Sequence, residues 1–246
     1  MLSAWRILLL NLNLTLWEAL SKSLADNFLV TSALNDLNME TAVPGLLLYH
    51  DFISESMEDE LIKEIDNQIW VVDYERRLQY YGYRNELESP YDLISFPVPM
   101  PPLIHKLSEQ LTEQGIVSIQ PDQVIINEYF PGEGLRPHKD RNYFENQICG
   151  VNLGSGCIMK FIHIKNKDVV DVEVPRRSVY VMQDEARYKW NHSIPSRKKD
   201  VVDGNVKHRE RRLSITYRKV NMKKVKPINP EGKVAKMLHE QFNINS

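Results

Sequence analysis

The run Arg212-Leu213-Ser214-Ile215-Thr216-Tyr217-Arg218 alternates without a break. At the two-residue period of a strand, Leu213, Ile215 and Tyr217 share one face, and Arg212, Ser214 and Arg218 share the other. The apolar face supplies a core contact, so the two arginines must face something else. From Gln123 onward the chain keeps this character. Short runs rich in Val, Ile and Tyr fall near 123–129, 147–153, 157–165, 169–174, 178–183, 187–194 and 211–220, with Gly, Pro or charged residues between them. Strands at this spacing predict a double-sheet jelly roll.

Upstream, a short apolar strand over residues 44–49 opens the domain. Ser54 and Ser56 then precede acids and the apolar positions Met57, Leu61, Ile62, Ile65 and Ile69, which mark a helix N-terminus and one buried helical face. A second helix is expected from about Pro102 to Gln114, with Leu103, Leu107 and Leu111 inward. The fold class is therefore mainly β with flanking helices, around a jelly-roll (double-stranded β-helix) core at 43–222. Residues 1–42 read as a leader or helical appendage and 223–246 as a basic tail, with a small helix near 233–241.

A 246-residue chain with 42% hydrophobic and 26% charged residues has the composition of a soluble protein with one good-sized core. The leucine-rich run at 7–17 is broken by Asn11, Asn13 and Thr15. It is too short and too polar to span a bilayer, and it lacks the clean apolar stretch of a secretory signal. No membrane partner is expected. Cys149 and Cys157 lie in apolar runs without the spacing of a zinc site or a disulfide framework, so buried reduced thiols are expected. They fit an intracellular protein, cytoplasmic or nuclear.

The net charge of −2 hides an asymmetry: residues 187–226 carry fourteen Lys/Arg against three Asp/Glu. Such a stretch can form a phosphate-binding surface, or a solvated loop and tail.

Chemistry concentrates in a few positions. In a strand, His138 and Asp140 of His138-Lys139-Asp140 point the same way, as do Asn127 and Tyr129. His-x-Asp with the distant His192 makes a two-histidine, one-carboxylate set that holds Fe(II) on one side and leaves other positions open. His50, His105, His163 and His208 have no matching carboxylate. The arginines of the last strand suggest an anionic co-substrate beside the metal.

The order Asn127-x-Tyr129, Pro131-Gly132, His138-x-Asp140, His192 and Arg212-x-Ser214-x-Thr216-x-Arg218 resembles the AlkB-like branch of the Fe(II)/2-oxoglutarate dioxygenases, over roughly residues 43–220. With Gln79-Tyr80-Tyr81-Gly82-Tyr83, Pro121-Asp122-Gln123 and Pro175-Arg176-Arg177-Ser178, it looks most like eukaryotic AlkB homologues of the tRNA wobble-uridine hydroxylase type. The resemblance implies Fe(2+) on His138, Asp140 and His192, with 2-oxoglutarate and O2 as co-substrates. Arg212 would pair with the far carboxylate of 2-oxoglutarate, Asn127 and Tyr129 would donate to it, and Ser214 would stand where the bacterial pattern has Asn. Arg218 would lie nearer the metal, at the keto-acid end, among the catalytic groups. Gln79, Tyr81 and Tyr83 would form a lid that stacks on and reads an extruded base. Arg141, Asn142 and Tyr143 would line the pocket mouth. Asn142 stands where bacterial-type repair enzymes place an acid that reads a cationic methylated base, and a neutral amide suits a neutral base. The expected partner is nucleic acid, RNA or tRNA ahead of DNA, with the protein acting as a monomer. The alternatives are an oxidative demethylase repairing alkylated DNA or RNA, a protein hydroxylase, or a non-catalytic nucleic-acid-binding module.

Overall fold

The computed structural model describes residues 38–73, 76–85, 93–96 and 98–225. The expected leader, apart from its last few residues, and the expected tail helix near 233–241 lie outside them. The chain divides into two units, Met1–Asn38 and Met39–Ser246, and the second carries the elements of interest. In chain order the strands are β1 (Asn38–Glu40), β2 (Leu46–Tyr49), β3 (Val71–Asp73), β4 (Arg76–Asn85), β5 (Leu93–Phe96), β6 (Gln123–Tyr129), β7 (Leu135–His138) and β8 (Phe144–Leu153). There follow β9 (Cys157–His163), β10 (Val169–Val174), β11 (Val179–Met182), β12 (Trp190–Ile194), β13 (Lys199–Val202), β14 (Asn205–His208) and β15 (Arg212–Val220). The helices are α1 (Glu55–Asp66), α2 (Pro102–Glu113) and the short α3 (Asp184–Tyr188).

The larger sheet runs β1-β2-β11-β8-β15-β6-β4-β3, with β5 attached to β4, and the smaller runs β10-β9-β12-β7. Between β6 and β15 the chain crosses repeatedly from one sheet to the other. Its ladders are antiparallel. This is the double-stranded β-helix expected from the strand spacing. The two-residue alternation of β15 decides the layering. Leu213, Ile215 and Tyr217 are buried on the helix side, where the Tyr217 hydroxyl donates to the carbonyl of Ile104 in α2 at 2.9 Å. The opposite face looks into the space between the sheets, which Ile148, Met159, Phe161, Tyr180 and Trp190 help to fill.

The helices begin as their residues dictate. Ser54 caps α1 by accepting from the Met57 amide at 3.2 Å. No side chain of its own segment caps α2. Instead the Glu64 carboxylate of α1 accepts from the amides of Leu103 at 3.1 Å and Ile104 at 3.2 Å, placing an anion at the positive end of the helix. The buried stripe of α2 passes through Ile104, Leu107 and Leu111, while Leu103 is half-buried.

Three features depart from the sequence reading. The strand expected over 187–194 starts later, because α3 occupies the turn after β11 and leaves β12 only Trp190–Ile194. A hairpin, β13–β14, interrupts the segment before β15. Its two-residue turn is Asp203-Gly204, with φ of 50° and 77°, the positive pair that favours Asp-Gly. The third is Gly82 in β4, where φ is 81° and a Cβ would lie 1.9 Å from the Asp122 carbonyl oxygen. Glycine is required there, and the strand changes faces across it.

Glu58 of α1 is 0% exposed and ties helix to sheet, accepting from the Gly154 amide at 2.7 Å and from Arg176 Nε at 2.6 Å. Glu58→Ala leaves the part-buried Gly154 amide and Arg176 without their partner, so urea unfolding should show a loss of about 1–3 kcal/mol. An unchanged midpoint would mean water replaces both partners.

Candidate active site

β7 and β12 are neighbours in the smaller sheet, and His138 lies directly opposite His192. Their rings stand side by side, centroids 4.3 Å apart and tilted by 51°. β7 ends at His138, so Asp140 does not reach the site by strand alternation. A turn delivers it, and that turn is held from behind. Arg187 of α3, itself buried, donates through Nη1 to the Asp140 carbonyl at 2.9 Å and through Nη2 to the Arg141 carbonyl at 2.5 Å. One donor atom from each of His138, Asp140 and His192 then falls within 4.8 Å of the others.

The electrostatics suit a divalent cation. Burial alone would raise the Asp140 carboxyl. The charge of Arg218, with His192, His138 and Arg187, outweighs it and holds the group well below the usual carboxylate range. Burial pulls the His192 imidazole down to about 3 against the opposing pull of Asp140, so the ring is neutral near pH 7. His138 Nδ1 lies 2.9 Å from the Arg136 carbonyl; a proton placed there leaves Nε2 as the metal-facing lone pair. Arg218 occupies one carboxylate oxygen, Asp140 Oδ1, at 2.7 Å from Nε and 2.6 Å from Nη2. Oδ2 is left facing His192 Nε2 at 3.6 Å. Two imidazoles, one of them kept neutral by burial, and one ionised carboxylate form a donor set that fits Fe(II).

The co-substrate end is built on the pairing of β15 with β6, which sets Arg212 opposite Tyr129 and Ser214 opposite Asn127. Arg212 is 3% exposed, and its Cζ sits 5.1 Å from the Tyr129 ring centroid. Its Nε donates to Asn152 Oδ1, but Nη1 and Nη2 have no hydrogen-bond partner among the described residues. A buried guanidinium with an unsatisfied edge is costly unless an anion completes it. A carboxylate matches that edge in two bonds, so the residues present fit 2-oxoglutarate. Arg76 stacks on the same tyrosine, 4.9 Å from its centroid.

The remaining expected residues are dispersed. Gln79 and Tyr81 are level with Ile126 and Val124, on the helix side of the sheet. Gln79 Nε2 donates to the Ile65 carbonyl at 2.8 Å, and its Oε1 accepts from the Tyr81 hydroxyl at 3.0 Å. Both are therefore buried under α1 rather than laid over the metal side. On β4 the residues level with Asn127 and Ile125 are Leu78 and Tyr80. Past Gly82 the strand has changed faces, and Tyr83 packs half-buried against the inter-sheet core. Arg141 and Asn142 are exposed immediately after Asp140, whereas Tyr143 is buried, its ring 4.7 Å from that of Phe144. The basic stretch is not one surface either. Arg187, Arg209 and Arg212 are buried, and Arg197 is bound to the buried Asp200 at 2.6 Å.

Sequence reading missed Arg187 and Asn152. Arg187 reads as one more surface cation. Asn152 is fully buried, donating to the Pro175 carbonyl at 2.6 Å while it accepts from Arg212. A lone amide between Val151 and Leu153 was its available signal.

Residues 45–218 match the family model described as the 2OG-Fe(II) oxygenase superfamily. The chain belongs to that superfamily. Its members are dioxygenases that use Fe(2+), 2-oxoglutarate and O2, which assigns His138, Asp140 and His192 to iron. Within the superfamily this oxygenase is AlkB-like. It is 48% identical over 189 residues to protein L905 of Acanthamoeba polyphaga mimivirus, covering 75% of this chain and 89% of that one. It is 32% identical over 223 residues to the mouse tRNA (carboxymethyluridine(34)-5-O)-methyltransferase ALKBH8, covering 79% of this chain but only 33% of the mouse protein. The solved structure of OsALKBH1 shares the fold, with a TM-score of 0.56 at 15% identity, over 74% of this chain and 99% of that one. Among the described residues, no helix of the oxygenase is long and apolar enough to cross a membrane.

Arg212→Lys keeps the charge and loses the two-pronged edge. The Michaelis constant for 2-oxoglutarate, followed by succinate formation, should rise about tenfold or more, with nucleic-acid binding unchanged. An unaltered constant would place the anchor elsewhere.

Proposed function

We propose that this oxygenase hydroxylates a base or base side chain in RNA, foremost a modified wobble uridine of tRNA. The observation that carries this reading is Asn142. It is an exposed amide two residues beyond the ligand Asp140, where the family resemblance puts the pocket mouth. A cationic methylated base calls for a carboxylate there, whereas an amide can hydrogen-bond a neutral edge. The mouse relative, whose name specifies a carboxymethyluridine at tRNA position 34, supports the choice of substrate.

The reaction balances simply. A C–H bond of the substrate becomes C–OH, 2-oxoglutarate loses carbon dioxide to become succinate, and O2 supplies one oxygen atom to the new hydroxyl and one to succinate. The iron, once bound, activates O2. The chain's own groups keep His192 neutral, hold Asp140 ionised and fixed through Arg218 and Arg187, and orient the co-substrate from Arg212. If the hydroxylated carbon bears nitrogen, the product collapses with loss of formaldehyde. That outcome is the second reading, demethylation. A Caenorhabditis elegans relative named a DNA N6-methyl adenine demethylase, 28% identical over 62% of this chain, favours it. The buried free thiols Cys149 and Cys157 accord with work in the cytoplasm or nucleus.

Incubation with Fe(II), 2-oxoglutarate and ascorbate, followed by nucleoside mass spectrometry, separates the two. The expected product is a modified uridine of tRNA gaining one oxygen. Formaldehyde from methylated DNA, with no tRNA product, would promote the demethylase.

Phosphate binding is expected from Lys198 and Lys199, which are exposed beside the site-bearing β12. Arg197 is excluded from the test because its bond to Asp200 is structural. Replacing both lysines with Ala should weaken tRNA binding and reduce the slope of log affinity against log salt by about 0.7 for each phosphate no longer neutralised. Succinate formation without nucleic acid should stay as it was. An unchanged slope would move the RNA path off this hairpin.

A further inference from the structure

Phe161 of β9 and His192 of β12 are cross-strand partners, and Phe161 is 0% exposed in the space between the sheets. Their neighbours Lys160, Ile162 and Ser193 therefore belong to the opposite, outer face of the smaller sheet. An outer face meets solvent, yet Ser193 is 5% exposed, and its hydroxyl donates to the Lys160 carbonyl at 3.2 Å. It lines an open cleft of about 1020 Å³ and sits deep in it. Backbone closes the cleft at one side. A Cβ on Gly134 would fall 2.3 Å from the Ile194 carbonyl oxygen and 2.6 Å from Ser196 Oγ, so glycine is what lets the two segments meet there.

The charge of this cleft is of one sign. Among the described residues that line it are Arg76, Arg136 and Lys160, and no carboxylate. Arg76 is held in place by its bond to the Gly134 carbonyl at 2.6 Å and by its stacking on Tyr129. Lys160 stands opposite Asp171 of β10 and pairs with it at 2.8 Å. Both side chains are partly exposed, 33% and 45%, so water weakens the pair and an incoming anion competes for the lysine. Leu135, Pro137 and Ile162 add apolar wall. Cations set beside apolar wall suit a sugar-phosphate chain, whose phosphates meet the charges while sugars and bases lie on the wall. The volume is at the upper end of small-molecule pockets, and the open side lets a chain pass through. Ser196, which also lines the cleft, is two residues before the exposed Lys198 and Lys199, so the cationic surface continues onto the β13–β14 hairpin.

We propose that this cleft on the outer face of the smaller sheet binds the sugar-phosphate backbone of the RNA, beyond the nucleotide that reacts. The proposal rests on RNA being the substrate. It gives the smaller sheet two working faces: His138 and His192 turn inward to the metal, while Lys160 on the other side holds the strand.

The test is fluorescence anisotropy of end-labelled tRNA with the full chain across a salt series. For Lys160→Gln the slope of log affinity against log salt should fall by about 0.7, leaving the Kd about fivefold higher at about 0.1 M salt. Lys160→Glu, which places an anion in the cleft, should weaken binding further, and Lys160→Arg should bind as wild type does. Succinate formation without nucleic acid should be the same in all three, since Lys160 is on the face away from the metal ligands. A wild-type slope and Kd in Lys160→Gln would overturn the proposal. So would equal weakening by Lys160→Gln and Lys160→Arg, which marks a role in packing rather than charge. Nucleoside mass spectrometry of the same tRNA tests the underlying reading separately. If the tRNA gains oxygen while Lys160→Gln binds as wild type does, the cleft alone is wrongly assigned; if the wild type neither binds nor oxidises tRNA, the RNA reading fails and the proposal with it.

Discussion

Two guanidinium groups on the inner face of β15 are placed where a sheet sandwich would otherwise hold apolar side chains, and each must be compensated inside a poorly polar space. Arg218 finds the Asp140 carboxylate and, through Nη1, the Gln123 side chain at 3.2 Å. Arg212 finds Asn152 for one nitrogen and keeps its other edge open. Arg218 is satisfied within the protein and fixes a metal ligand, while Arg212 is completed by whatever anion enters.

The metal ligands depend on this arrangement at more than one remove. Asp140 lies outside regular structure, so its position comes from its partners: Arg218 on the carboxylate and Arg187 on the carbonyl. Gln123, which accepts from Arg218, also donates to the Tyr83 carbonyl at 3.3 Å. A hydrogen-bonded path thus joins the ligand to the far half of β4, beyond the face change at Gly82.

Much of the architecture was legible because period-two alternation is a local property. The faces of β15, the strands from 123 onward and the capped start of α1 all follow from residues a few positions apart. The His-x-Asp and distant-His pattern was legible through its chemistry. What escaped the sequence depended on partners far along the chain. Gln79 and Tyr81 are aromatic-strand residues in either reading, and only the register with β6 turns them toward α1. Arg187 and Lys198 are indistinguishable as letters, yet one is buried behind the metal turn and the other is exposed. The Asp203-Gly204 turn is the exception: its signal is local, an Asp-Gly pair set between Val201-Val202 and Val206 in a stretch rich in charge.

The borrowed cap on α2 has a consequence for how the domain comes apart. Because α2 takes its N-terminal anion from Glu64, opening α1 also removes the group that starts α2. Each helix is further tied to the sheet through one backbone carbonyl, Ile65 to Gln79 and Ile104 to Tyr217. On this wiring the two helices are expected to open as one unit, baring β4, β6 and β15 together rather than strand by strand.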